Sequence, residues 1–202
     1  MPSLQDLKVR IKSVKSTQKI TKAMKMVAAS KLKRAREAAE AAEPYADRMG
    51  TLVANLAVNA VLQEGQATLL AGTGQEKVHL IVFATSDKGL CGSFNGSIIK
   101  NIKAKIERLQ DKGCQVKLLC IGKKGYDLLK GQFGSLIIEK YENIGKKNVK
   151  FSEANEIAEK VLDLYESGEF DVCHLVYNKF KSAIAQVVTE RRLIPFDFSQ
   201  AE

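Results

Sequence analysis

Ahead of Gly50 this 202-residue chain has no glycine, and its only proline before Pro44 is Pro2. Between Leu7 and Arg36 it has no acidic residue, and as far as Pro44 it has no Phe, Tyr or Trp. Each absence excludes something. Without Gly or Pro, nothing interrupts a helix over the first forty residues. A solvated helical face mixes charges of both signs, so an acid-free stretch points to an anionic partner. A helix lying on a membrane surface needs interfacial aromatics, and here they are missing. Nowhere do eighteen apolar residues run together, so no transmembrane helix is expected. The basic N-terminus lacks the apolar core of a signal peptide, and the reading is of a soluble, cytosolic chain.

Chemistry is equally sparse. The four cysteines, Cys91, Cys114, Cys120 and Cys173, show no CxxC spacing and no disulfide framework. Cys120 and Cys173 fall in apolar strands and read as core thiols in a reducing compartment, while Cys91 falls in an exposed loop. His79 and His174 have no metal-ligand spacing to each other or to cysteine, so structural roles are expected and no metal. No GxSxG or HExxH occurs, and no catalytic residue or bound cofactor is expected.

What is present begins with charge. Met1 to Arg36 hold eleven Lys and Arg against the one acid Asp6, a local balance of +10, while the whole chain is +9. Ser3 is placed to cap a helix, with Asp6 three residues on. Thereafter one heptad frame holds. Its d positions are Leu7, Val14, Thr21, Ala28, Ala35, Ala42, Met49 and Leu56; its a positions are Leu4, Ile11, Gln18, Lys25, Leu32, Ala39, Ala46 and Val53. That is a coiled-coil seam, interrupted only around Gln18, Thr21 and Lys25, where Ile20, Met24 and Val27 point elsewhere. Lys8, Lys15, Lys22 and Arg36 at e, with Lys12, Lys19 and Lys33 at b, form a basic stripe beside it. The helical region is expected to cover residues 1–62, on the order of 85 Å from Ser3 to Ala60, with a kink near Glu40 caused by Pro44. An alanine-rich seam of this length needs a partner helix, and no later segment is long enough to supply it.

After a glycine-bearing linker, 63–76, a second pattern begins. Val78–Thr85 is a buried-type strand, Asn95–Asp111 a helix and Gln115–Ile121 a strand. Gly125–Gly131 reads as a short helix, Ser135–Tyr141 as a strand, and a helix capped by Ser152 follows. Asp171–Tyr177 and Ile184–Leu193 complete the set as an antiparallel pair, leaving 196–202 as a tail. The fold class is therefore α/β: a long N-terminal coiled-coil helix, then a doubly wound, Rossmann-like domain over 77–195 with a mostly parallel sheet of about five strands.

Thr85 to Gly92, TSDKGLCG, sits where such sheets bind ligands, with Asn95 nearby. It matches neither GxGxxG nor a Walker A motif and reads better as a tight structural turn. Gly122 to Gly125 reads as a strand-to-helix turn, and Glu190-Arg191-Arg192 as the polar end of the last strand.

The residues Lys12 to Leu32, KSVKSTQKITKAMKMVAASKL, closely resemble the N-terminal helix of gamma subunits of F-type ATP synthases. The TSDKGLCG loop and Tyr177-Asn178-Lys179-Phe180 fit the same family. The resemblance covers essentially the whole chain, and it implies a bacterial-type rotor shaft. The N-terminal helix would pair with a long C-terminal helix inside a ring of three alpha and three beta subunits. The α/β domain would dock the epsilon subunit and the ring of c subunits. Catalysis would lie on beta, with the complex held at the cytoplasmic face of the plasma membrane. Carried over to this chain, Lys19, Lys22 and Lys25 would meet acidic beta loops, with Met24 a partner contact in the same zone and Lys88 a second contact toward the ring. Leu4, Leu7, Ile11, Val14, Ala28, Leu32, Ala35 and Met49 would form the seam. The family's C-terminal helix is not among these residues, so a truncated chain or a second chain supplying that helix is expected. No Cys follows Cys173, so the redox control of chloroplast members is not expected. The competing reading is a basic coiled-coil adaptor for nucleic acid or an acidic surface; no Arg-rich recognition pattern or stacking aromatic supports it.

Overall fold

The structure, a computed structural model, describes residues 3–60, 69–146, 149–182 and 184–197, with backbone only for 56–60. Residues 61–62 of the expected helix, 63–68 of the expected linker and 198–202 of the tail lie outside the described residues. The chain divides into two compact units, Met1–Val53 and Ala54–Glu202.

Helix α1 (Leu4–Ala60), which makes up the first unit as far as Val53, runs for 57 residues with Pro44 inside it. Its start is the capping box read from the sequence. The Asp6 amide donates to Ser3 Oγ at 3.2 Å, and the Ser3 amide donates back to Asp6 Oδ2 at 3.0 Å. These bonds to Ser3 hold the Asp6 carboxyl below its ordinary range. At Pro44 the missing N–H leaves the Glu40 carbonyl without its helical donor, and the ladder resumes beyond it.

The second unit carries β1 (Val78–Ala84), α2 (Phe94–Asp111), β2 (Gln115–Ile121), α3 (Lys123–Phe133), β3 (Ile137–Tyr141), α4 (Phe151–Glu166), β4 (Val172–Phe180) and β5 (Gln186–Ile194). The sheet order is β3-β2-β1-β4-β5. The first four strands are parallel, and β5 lies antiparallel to β4. The order reverses at β1, as a doubly wound sheet requires.

Strand alternation divides the core in two. Ile81, Phe83, Leu118, Cys120 and Val176 face α2 and α3, where Ile98, Ile102, Ile106 and Leu129 are fully buried. Leu80, Val82, Leu119 and Cys173 face α4 through Ile157 and Val161. Burial of each such side chain stabilises the unit by roughly 1.5–3 kcal/mol. Burial also pushes the thiols of Cys120 and Cys173 up to about 12, so both behave as apolar core groups.

Some local expectations need correction. Ser152 does not cap α4: Phe151 already opens the helix, and the start is fixed by Glu153, whose carboxylate accepts the Lys150 amide at 3.0 Å and the Gly145 amide at 3.2 Å. A 3₁₀ turn over Gly134–Leu136 occupies the expected beginning of β3. Ile184 lies in the β4–β5 turn rather than in β5, held there by a bond from the Lys181 amide to the Ala185 carbonyl. Glu190 and Arg192 are not a solvated strand end. Glu190 meets Lys105 and His174, and Arg192 reaches Glu76.

Candidate functional site

Two surfaces were singled out by sequence: the stripe and seam of α1, and the loop after β1. On α1 the seam side chains are open to solvent. Leu4 is 72% exposed, Val14 63% and Leu32 42%, with Leu7, Ile11 and Met49 also exposed. Ala28 and Ala35 are exposed as well. Off the seam frame, Ile20, Met24 and Val27 are each more than half exposed. Helix geometry puts residues three and four apart on adjacent turns, so Lys19, Lys22 and Lys25 make a continuous row, with Met24 two positions beyond Lys22. Lys8, Ile11, Lys12, Lys15, Ser16 and Lys19 line a neighbouring shallow strip in which the stripe borders the seam.

Beyond Asp6 in its first turn, α1 has no acid until Glu37. Lys33 pairs with Glu37 at 3.7 Å and Arg36 with Glu40 at 2.6 Å. Among the described residues, no acid pairs with Lys8, Lys12, Lys15, Lys19, Lys22 or Lys25. The polar interruption of the seam is turned inward: Thr17 Oγ1 donates to the Ser13 carbonyl, and Thr21 Oγ1 to those of Thr17 and Gln18. Those hydroxyls serve the helix's own backbone and leave the lysines as the polar feature of that zone.

The loop after β1 is a knot of internal bonds. Asp87 accepts the Lys123 amide at 3.0 Å and the Asn143 amide at 2.9 Å. Thr85 Oγ1 accepts the Gly125 amide at 2.9 Å and donates to the Ile121 carbonyl, while the Ser86 carbonyl takes the Lys124 amide. The first three amides of α3, which a phosphate would seek, are therefore already bonded to protein. Gly122 sits at φ +94, and a Cβ there would lie 2.2 Å from the Thr85 carbonyl oxygen, so only glycine fits this approach. Asn95 closes the other side, accepting the Ser86 amide at 3.0 Å and donating to Cys91 Sγ at 3.2 Å. What the knot displays outward is Lys88, Leu90 at φ 63 and 96% exposed, and Cys91. Lys88 belongs to the second unit and the lysine row to the first.

Sequence reasoning missed one constellation. His79 and His174 stack with ring centroids 5.5 Å apart, buried beside Lys105 and Glu190. The signal becomes visible only once β4 is known to neighbour β1. The register pairs His79 with Val172 and Ile81 with His174, which puts both rings on one face two residues apart. Among the described residues, no group of three or more His, Cys, Asp or Glu is arranged to hold a metal ion, and no helix is long and apolar enough to cross a membrane.

The chain is similar to known proteins. The family model described as ATP synthase matches residues 3–202. The ATP synthase gamma chain of Chelativorans sp. is 54% identical over 203 residues, covering 100% of this chain and 69% of that protein. The gamma chain of Rhodospirillum rubrum is 54% identical over 196 residues, covering 97% of this chain and 66% of its own length. The chain thus spans about two thirds of the curated relatives it matches. Among solved structures, a chain from the Tetrahymena thermophila mitochondrial ATP synthase central stalk and c-ring aligns with a TM-score of 0.63 at 37% identity, covering 87% of this chain and 72% of that one. Identity above 50% over essentially the whole of this chain means that it belongs to the ATP synthase gamma-chain family.

Proposed function

We propose that this chain contributes to the central stalk of an F-type, proton-translocating ATP synthase, as a non-catalytic part of its rotor shaft. The observation carrying the reading is the coexistence, on one 57-residue helix, of an exposed apolar seam and a row of lysines without acidic partners. A seam of that kind gains stability only by pairing with another helix. The half-shaft, residues 1–62, pairs along Leu4, Leu7, Ile11, Val14, Ala28, Leu32, Ala35 and Met49. Its lysine row at Lys19, Lys22 and Lys25, with Met24, faces acidic loops of a surrounding ring of alpha and beta subunits. Catalysis belongs to beta. Residues 77–195 form the foot, which docks the epsilon subunit and the c-ring, with Lys88 presented toward the ring. Membrane association, at the cytoplasmic face of a bacterial plasma membrane, comes through the complex.

Exposed ion pairs are worth about 0–1 kcal/mol each, a strength suited to contacts that form and break at every step. The test is Lys22→Glu with Lys25→Glu in the assembled complex, reading ATP hydrolysis and proton pumping together. Hydrolysis that persists while pumping per ATP falls supports the reading; unchanged coupling reduces the row to solvation. The adaptor alternative makes a separate claim, tight nucleic-acid binding with a steep log–log dependence on salt.

A further inference from the structure

Helices ordinarily cover both faces of a mostly parallel sheet, because its strands are apolar on both sides. Here one lane is left open. Helix α4 rests on β1, β2 and the start of β4, with Ile157 and Val161 against Leu80, Val82, Leu119 and Cys173. β5 returns from β4 as an antiparallel neighbour, so no crossover helix accompanies it. Leu175 packs on the α4 side, and the register pairs Leu175 with Arg191, Tyr177 with Thr189 and Lys179 with Val187. Alternation puts all six on that side. Leu175 and Tyr177 are only half-buried, and Val187 is 44% exposed.

Helix α4 supplies a wall. At roughly 100° per residue, Ala154, Ala158, Phe151 and Leu162 lie about 60–140° round the helix from Ile157, while Glu156, Glu159 and Asp163 lie about 200–260° round. The acidic flank is the one toward β3. Glu153 accepts the Gly145 amide just beyond β3, and burial, followed by the charges of Glu139 and Glu156, raises the Tyr141 phenol at the end of β3. The apolar flank therefore looks the other way, over β4 and β5. It is bare: Phe151 is 82% exposed, Leu162 36%, and both alanines are exposed.

Floor and wall enclose a lane two strands wide, about 10 Å, and about 16 Å long from Phe151 to Leu162, room for one helix over three turns. Thr189 Oγ1 donates to the Val187 carbonyl, which leaves Lys179 and Arg191 as the polar groups of the floor. Among the described residues neither has an acidic partner, since the acids of α4 are turned to its other flank. We propose that this lane docks an amphipathic helix of another protein chain, with its apolar stripe on Leu175, Tyr177, Val187 and Leu162 and its carboxylates on Lys179 and Arg191. A basic helix would meet like charge there, and an extended strand would leave the α4 wall uncovered. The proposal stands on these residues alone and is independent of the shaft reading.

The experiment titrates the full chain, with labelled Leu and Val methyl groups, against two synthetic helices of about sixteen residues that differ only in carrying Glu or Lys beside a leucine stripe. The methyl signals of Leu162, Leu175 and Val187 separate this lane from α1. The Glu helix should shift all three saturably, and the Lys helix should bind at least about tenfold more weakly. Lys179→Glu with Arg191→Glu, both at exposed side chains, should reverse that preference. Leu162→Glu should weaken binding of the Glu helix about tenfold. Shifts confined to α1, equal affinity for the two helices or no saturation would overturn the proposal, and all three are read in the unmodified chain whether or not a variant folds. Before any peptide is added, lane signals that depend on protein concentration would make a second copy the occupant. Lane methyls shielded from a soluble paramagnetic probe would show that the chain itself already fills the space. Either result overturns the proposal as well.

Discussion

The apolar residues of α1 and those of the α/β unit are chemically alike and are used in opposite ways. Leu4, Ile11, Val14 and Leu32 lie open, whereas Leu80, Ile81, Phe83 and Ile102 are wholly enclosed. The difference is topological. Strands and helices in the α/β unit fold back so that, the lane over β4 and β5 apart, each apolar face finds another within 120 residues of chain. The seam runs along a helix whose own residues can never meet it. One region carries its complement and the other displays a request for one. Its charge follows the same rule: acids accompany bases in the α/β unit, as in Lys105 with Glu190 and Lys117 with Glu169, while Leu7 to Arg36 of α1 hold lysines without acids.

If that contrast holds, the largest effect comes from the enclosed side. Phe83→Ala empties a fully buried site against Ile98 and Leu129 and should cost about 3–5 kcal/mol, read by denaturant unfolding of the α/β unit. The matching change on the seam, Leu32→Ala, should shift the isolated chain by no more than about 0.5 kcal/mol. Added to a complementary helix, the same change should weaken pairing by roughly 1–3 kcal/mol, measured by calorimetric titration. Equal sensitivity at both positions in the isolated chain would show that the seam is already covered.

Acid should act on the enclosed side next. Glu190 titrates at about 2 rather than the usual 4.5, so its contribution is fully present above pH 4.5 and is lost as pH falls toward 2. A carboxylate that is one third exposed is partly screened, so the loss should be on the order of 2 kcal/mol, and Glu190→Gln should flatten that limb of the stability curve. The smallest effect belongs to the open helix. Ser3→Ala removes the capping oxygen and should cost about 1 kcal/mol, visible as faster amide exchange confined to the first turn of α1.

Much of this was legible in the residues because periodicity reports burial directly. Ile98, Ile102 and Ile106 mark the hidden face of α2, and VHLIVFA marks a strand covered on both sides. Gly122 was readable as a turn, although the reason, a carbonyl 2.2 Å from where a Cβ would stand, was not. The boundaries that slipped, at Ser152, Ser135 and Ile184, are places where a local hydrogen bond competes with pattern. The lysine row and the knotted loop could be located by sequence; how the loop's bonds use up the amides of α3 could not.

By itself, the sequence determined that a long basic helix with an apolar stripe precedes an α/β unit, since charge density and the 3.5- and 2-residue periods are properties of neighbours along the chain. Tertiary structure alone decided which distant residues share a face. His79, Lys105, His174 and Glu190 carry no common pattern. They became one cluster because β4 inserted beside β1 and β5 turned back upon β4, bringing into a low-dielectric space groups that in the extended chain would never interact.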